Sequence, residues 1–185
     1  MEIKVAVSKR HVHLCQEDLE ILFGEGYKLT KRNDLTQTGQ YACNETVSLK
    51  TNKNIIEEVR VVGPIRKYSQ VELDKDDSKF LGLNPPIRDS GDLQNSESLT
   101  IVGPKNSKFI KNCCIIANNH IHANNDELKE FSNNDIVSVK TKDGIIIEDV
   151  HIKKDDSFVL EMHIDTYNSK LYNLVTNDIV VLEKR

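Results

Sequence analysis

The chain has 185 residues, 38% of them hydrophobic, a formal net charge of -4 and no apolar run near the ~18 residues of a membrane-spanning helix. Such a composition excludes a fibrous or membrane-embedded protein and leaves room for one domain or two small interleaved ones. The 25 Lys and Arg are scattered among 29 Asp and Glu, which argues against duplex DNA or an anionic membrane as the main partner, though a local basic pocket for a small anion remains open.

In chain order, Met1 leads into Ile3-Lys4-Val5-Ala6-Val7, a strand pattern without the regions of a signal peptide. A first helix is expected over Gln16–Phe23, with Leu19, Leu22 and Phe23 at helical spacing and a stop at Gly24. Residues 55–58 running into 59–62 read as strand, 77–81 as a short helix ending at Gly82, then 99–102 and 115–117 as strands. Asn125 is expected to cap a helix over 126–131. The strands 136–141 and 145–152 follow, joined by a Lys142-Asp143-Gly144 turn in which Asp-Gly tolerates positive φ, and then 158–164 and 179–183. Many short Val- and Ile-rich runs bounded by turns predict a mainly β protein of barrel or sandwich type, with helices only as caps.

Three pairs of similar phrases point to an internal duplication: Val62-Gly63-Pro64 with Val102-Gly103-Pro104, His11-Val12-His13 with His120-Ile121-His122, and the Asn-Asp-Ile-Val runs ending at Val137 and Val180. Cys15, Cys43, Cys113 and Cys114 show no C-x-x-C spacing, and an adjacent pair is poor geometry for a bridge, so reduced thiols and a cytoplasmic location are expected.

The histidines carry the chemistry. Residues i and i+2 of a strand point to one face with Cα atoms about 6 to 7 Å apart, so each H-x-H pair can turn two imidazoles toward one cation. A lone histidine is more often a hydrogen-bonded surface residue than a ligand, but two such pairs, each beside a strand-like run, favour metal binding. His163 is a third candidate, with Asp165 two residues on able to orient its ring, whereas His151 reads as an ordinary strand-face residue. Glu72 could supply an oxygen ligand and Arg66 a phosphate fork, although taken alone the spacing is better explained by a solvated ion pair. Cys15 follows the first pair at the same two-residue step but is expected at the start of the first helix, outside a metal shell.

Ser8-Lys9-Arg10-His11-Val12-His13-Leu14, Asp34-Leu35-Thr36-Gln37-Thr38-Gly39-Gln40, Val62-Gly63-Pro64 through Arg66 to Gln70-Val71-Glu72, Pro85-Pro86-Ile87-Arg88-Asp89-Ser90-Gly91-Asp92 and His120-Ile121-His122 together resemble the PduL-type phosphate propanoyltransferase (phosphotransacylase) family, from about Val5 to Asp165. The resemblance implies two small β-barrels capped by short α-helices and interleaved in sequence, one from residues 1–9 and 118–185 and the other from 10–117. It implies exchange of a short acyl group between acyl-CoA, propanoyl or acetyl, and phosphate. Two Zn2+ per chain are implied, with His11, His13 and Glu72 matching the ligands of one ion and His120, His122 and His163 those of the other. Arg66 matches the arginine that steers phosphate, and Ser8, Arg10, Arg60 and Arg88 are further substrate-binding candidates. A homodimer is implied, with an acetate or propionate kinase as metabolic partner. The motif strand begins almost at Met1, so no microcompartment-targeting extension is expected. Two departures stand out: Asn118-Asn119 replaces an arginine before the second pair, and Tyr167-Asn168 replaces an acidic pair after His163. The acyl preference and coenzyme A contacts are therefore left open. The competing readings are a zinc-dependent thioester or phosphoester hydrolase, and a non-catalytic zinc-binding barrel that serves as an interaction module.

Overall fold

The computed structural model describes residues 1–183. The chain divides into two units, one formed by Arg10–Ala117 and one by Met1–Lys9 with the chain from Asn118 onward. The first half of the sequence runs β1 (Glu2–Ser8), β2 (His11–His13), α1 (Gln16–Phe23), β3 (Lys31–Asp34), β4 (Tyr41–Lys50), β5 (Ile55–Gly63), β6 (Gln70–Glu72), α2 (Lys75–Leu81), β7 (Ile87–Arg88) and β8 (Glu97–Val102). The second runs β9 (Ser107–Ala117), β10 (His120–Ala123), β11 (Ile136–Lys140), β12 (Ile146–Lys154), β13 (Glu161–Asp165), α3 (Thr166–Leu171) and β14 (Ile179–Glu183). Strand makes up 46% and helix 11%, so the mainly β expectation holds, and each unit closes a six-stranded barrel.

The two rings have one pattern. In the central unit the order is β2-β5-β4-β8-β9-β6, with β2·β5 and β6·β9 parallel and the other pairs antiparallel. In the other it is β10-β12-β11-β14-β1-β13, with β10·β12 and β1·β13 parallel at the corresponding places. Both repeats therefore run strand, H-x-H strand, hairpin, a strand carrying Glu72 or His163, closing strand. The first strand of each repeat is exchanged: β1 completes the barrel that follows β9, and β9 the barrel that follows β1.

Local chemistry repeats as well. Ile55-Ile56-Glu57-Glu58-Val59-Arg60-Val61 and Ile146-Ile147-Glu148-Asp149-Val150-His151-Ile152 occupy matching strands, and both bend at the fourth residue, where Glu58 has φ 56 and Asp149 φ 55. The register shifts beside each bend, the mark of a bulge in which one extra residue turns the strand. The inward set accordingly steps by three, from Ile56 to Val59 and from Ile147 to Val150, before alternation resumes at Val61 and Ile152. Each barrel buries its own apolar cluster, around Leu19, Leu22, Leu49 and Ile101 in one and Ile3, Ile121, Ile147 and Met162 in the other. Removing a fully buried Leu or Ile side chain from such a cluster costs about 2–5 kcal/mol.

Several expected elements differ. Residues 126–131 form turns rather than a helix: Asn124, not Asn125, accepts the Asp126 and Glu127 N–H groups through Oδ1 at 2.9 and 3.0 Å, and Leu128 at φ 49 prevents propagation. The strand expected from 158 begins at Glu161, because Phe158 closes a turn onto the Asp155 carbonyl. Helix α2 starts two residues earlier than expected, with Asp74 capping the Asp77 N–H at 2.8 Å. Helix α3 and strands β3 and β4 were not expected. The 142–144 turn does join β11 to β12, with Gly144 at φ 84 and its N–H on the Thr141 carbonyl. Among the described residues no helix is long and apolar enough to cross a membrane.

Candidate functional site

In the central unit, the antiparallel pairing of β2 with β6 sets His11 opposite Glu72 and His13 opposite Gln70. Val12 and Val71, opposite each other between them, turn to the buried core at 0% exposure. Alternation thus delivers four polar side chains to one face. His11 Nε2 and His13 Nε2 stand 3.2 Å apart, His11 Nε2 is 3.4 Å from Glu72 Oε2, and His13 Nε2 is 3.7 Å from Glu72 Oε1. Ligand atoms on a tetrahedral zinc at ~2.1 Å lie about 3.4 Å from one another, so these donors have the separations a shared ion requires. This is the one His/His/Glu group among the described residues whose ligand atoms all fall within 4.8 Å.

Hydrogen bonds orient these side chains. The Val62 carbonyl can only accept, so its 3.1 Å contact with His13 Nδ1 places the ring proton there and turns the Nε2 lone pair to the cluster. Burial, the largest influence on His13, lowers its pKa to about 4, which keeps the ring neutral and able to ligate. Gln70, at 0% exposure, donates from Nε2 to Glu72 Oε1 at 2.7 Å and to Ser90 Oγ at 2.9 Å, while its Oε1 accepts the Gly91 N–H at 2.8 Å. Arg66 Nη1 donates to the same Ser90 Oγ at 3.1 Å. The Arg66 backbone is held by its N–H on the Leu14 carbonyl and an isolated bridge to Cys15.

The second pair lies in the other unit. Across β10 and β13, His120 faces His163 and His122 faces Glu161. The ring centroids of His120, His122 and His163 are 4.6 to 5.1 Å apart. Imidazoles radiating from one zinc sit about 5 Å apart by the same geometry. His120 Nδ1 meets the Asn118 carbonyl at 2.7 Å, which again places the ring proton on Nδ1 and leaves Nε2 as the nitrogen able to ligate. The carboxylate against His163 Nε2 is Glu161, at 3.2 Å. Asp165, expected to orient that ring, uses Oδ1 to cap α3 through the Asn168 N–H at 2.7 Å.

The remaining candidates have separate settings. Arg10 pairs with Asp77 at 2.9 Å and Arg88 with Asp92 at 3.0 Å, both in partly exposed contacts. Arg60 donates to the Cys43 and Asn44 carbonyls at 3.0 Å. Ser8 ends β1 opposite Asp165. Cys15 is the N-cap residue of α1, with its sulfur 3.6 Å from Ser69 Oγ. His151 stands opposite His120 on β12. Sequence reasoning missed Gln70 and Glu161, although each lies two residues before a third ligand candidate and so on the same strand face.

A family model described as phosphate propanoyltransferase matches residues 4–174. The chain is 44% identical to a phosphate propanoyltransferase of Thermotoga maritima, over 97% of this chain and 88% of that protein. It is 43% identical to one from Lachnoclostridium phytofermentans (97% and 86% covered) and 46% identical to one from Priestia megaterium (97% and 85% covered).

Proposed function

The chain belongs to the phosphate propanoyltransferase family, and on that premise we propose that it moves a short acyl group between acyl-CoA and inorganic phosphate, giving acyl phosphate and CoA, with zinc held by His11, His13 and Glu72. The observation that carries this reading is the convergence of three ligand atoms at tetrahedral spacing in the unit that also carries Arg66. A borderline-soft ion there would supply Lewis acidity and stabilise the CoA sulfur as thiolate. By repetition of register, and of the tautomer in the case of His120, the residues His120, His122 and His163 would hold a second zinc in the other unit.

The chain's own residues do the rest. In the reaction a phosphate oxygen attacks the thioester carbonyl carbon, the C–S bond breaks, and the electron pair leaves on sulfur. Arg66 carries five N–H donors, one of them on Ser90, and a guanidinium fork matches two phosphate oxygens. Ser90 Oγ accepts from both Gln70 and Arg66, so its own proton points elsewhere, as a donor suited to an anion. Together these groups orient the nucleophile and offset charge as it builds on the reacting oxygens. Arg10 and Arg88 sit in weak, partly exposed pairs that an incoming phosphate group of CoA can replace, whereas Arg60 would shape the site from its strand and Ser8 is a substrate-binding candidate of the other unit. A homodimer, and an acetate or propionate kinase consuming the acyl phosphate, complete the proposal.

The test is thiol release from acetyl-CoA and propanoyl-CoA with and without phosphate, combined with trapping of acyl phosphate as its hydroxamate. Phosphate-dependent release with trapped product is expected. Release without phosphate would instead make the protein a thioesterase, and zinc binding without release a non-catalytic module.

A further inference from the structure

The Gln70 side chain makes three polar contacts while fully buried, and its orientation is unambiguous. The Gly91 N–H can only donate, so the atom it meets at 2.8 Å is the amide oxygen, and both amide hydrogens face Glu72 and Ser90. On one side, the bond to Glu72 Oε1 occupies that oxygen and turns Oε2 toward His11 Nε2. On the other, the bond to Ser90 Oγ holds the hydroxyl that also receives Arg66 Nη1. One amide therefore joins the carboxylate of the metal cluster to the guanidinium of the phosphate site, through contacts of 2.7, 2.9 and 3.1 Å.

Resting on the function proposed above, we propose that Gln70 is a positioning residue that sets Glu72 as a one-oxygen zinc ligand through Oε2 and fixes the Ser90–Arg66 pair at its distance from that ligand. The other repeat carries the same device in a different residue. Glu161, two residues before His163 as Gln70 is two before Glu72, is buried and contacts the third ligand candidate at 3.2 Å. An amide suits a carboxylate ligand because it donates, and a carboxylate suits an imidazole because it accepts. The residue at this place is thus complementary to the ligand it serves in each barrel.

The experiment compares wild type, Gln70→Glu and Gln70→Met for zinc affinity, by competition with a chromophoric chelator, and for kcat and the KM for phosphate. His11→Ala identifies the zinc belonging to this site, and thermal unfolding confirms that each variant is folded. Gln70→Glu retains an acceptor for the Gly91 N–H but sets a like charge against Glu72, so it tests the contact with little change of volume. Both variants are expected to lose about 10- to 100-fold in affinity at the zinc that His11→Ala abolishes, and to raise the KM for phosphate by more than kcat falls. A purely structural role would lower the unfolding temperature and leave affinity and KM at wild-type values in the folded protein. Folded variants with wild-type affinity and KM, beside an active zinc-bound wild type, would overturn the role of Gln70 alone. A wild-type chain that binds no zinc and forms no acyl phosphate would overturn the proposed function itself.

Discussion

Glu72 lies directly across the β2–β6 pair from His11, and the corresponding pair of the other barrel sets His163 across from His120. One backbone register thus supplies the third member of each histidine cluster, although one is a carboxylate and the other an imidazole. The two clusters belong to different barrels. His11→Ala should lower bound zinc by about one ion per chain and abolish acyl transfer, since two remaining ligands hold zinc poorly. Metal content by atomic emission after gel filtration, read beside activity, checks this.

Arg66→Ala should raise the KM for phosphate by about 10- to 100-fold, the loss expected when a charge-assisted pair of hydrogen bonds to phosphate is removed. Zinc content should stay at the wild-type level, because the Arg66 side chain hydrogen-bonds to Ser90 and supplies no ligand atom to the cluster. Unchanged phosphate dependence would remove Arg66 from the scheme.

The metal-free protein should weaken on mild acidification. Unfolded His13 takes up its proton as pH falls through 6.5, whereas the folded residue, with its pKa lowered to about 4 by burial, does so only near that lower value. Between these limits the unfolded state binds more protons, so stability is full above pH 6.5 and declines toward pH 4, by on the order of 3 kcal/mol. Urea unfolding in chelator across this window checks it, and His13→Gln should flatten the profile.

Cys15→Ala should retain acyl transfer. The sulfur lies beside Ser69 and Asp18 at the start of α1, and the Asp18 carboxylate is already engaged by the Ser69 hydroxyl at 2.5 Å and Lys108 Nζ at 2.6 Å, a salt-bridged acid that makes a weak base for an acyl-cysteine route. Loss of activity with zinc content and fold intact would point to a covalent acyl-cysteine mechanism instead.

Gly103→Ala should destabilise the central barrel. A Cβ there would meet the Leu22 backbone carbonyl and lie 2.6 Å from Leu22 Cβ, in the fully buried part of α1. Overpacking of this kind costs about 1–3 kcal/mol. Thermal unfolding measures it, and a wild-type midpoint would show that the turn after β8 yields freely.

The features legible from the residues alone were those that depend on near neighbours. Alternation places His11 with His13 and His120 with His122 on shared faces, Gly24 ends α1, and Asp-Gly closes the 142–144 turn, because strand period, helix termination and turn conformation are properties of a few adjacent residues. Motif resemblance extended that reading to Glu72, Arg66 and His163, which periodicity alone does not join to the pairs. Only the tertiary structure decided the cross-strand partners. Register between distant segments set Gln70 beside Glu72 and Ser90, gave His163 the carboxylate of Glu161 rather than Asp165, and exchanged β1 and β9 between the barrels. Asp165 shows why: its carboxylate is chemically able to serve an imidazole or a helix end, and the six residues after it fold into α3, whose first-turn N–H claims it. A side chain's chemistry limits what it can bind, but its partner is settled by which strands pair, and pairing depends on contacts far apart in the chain.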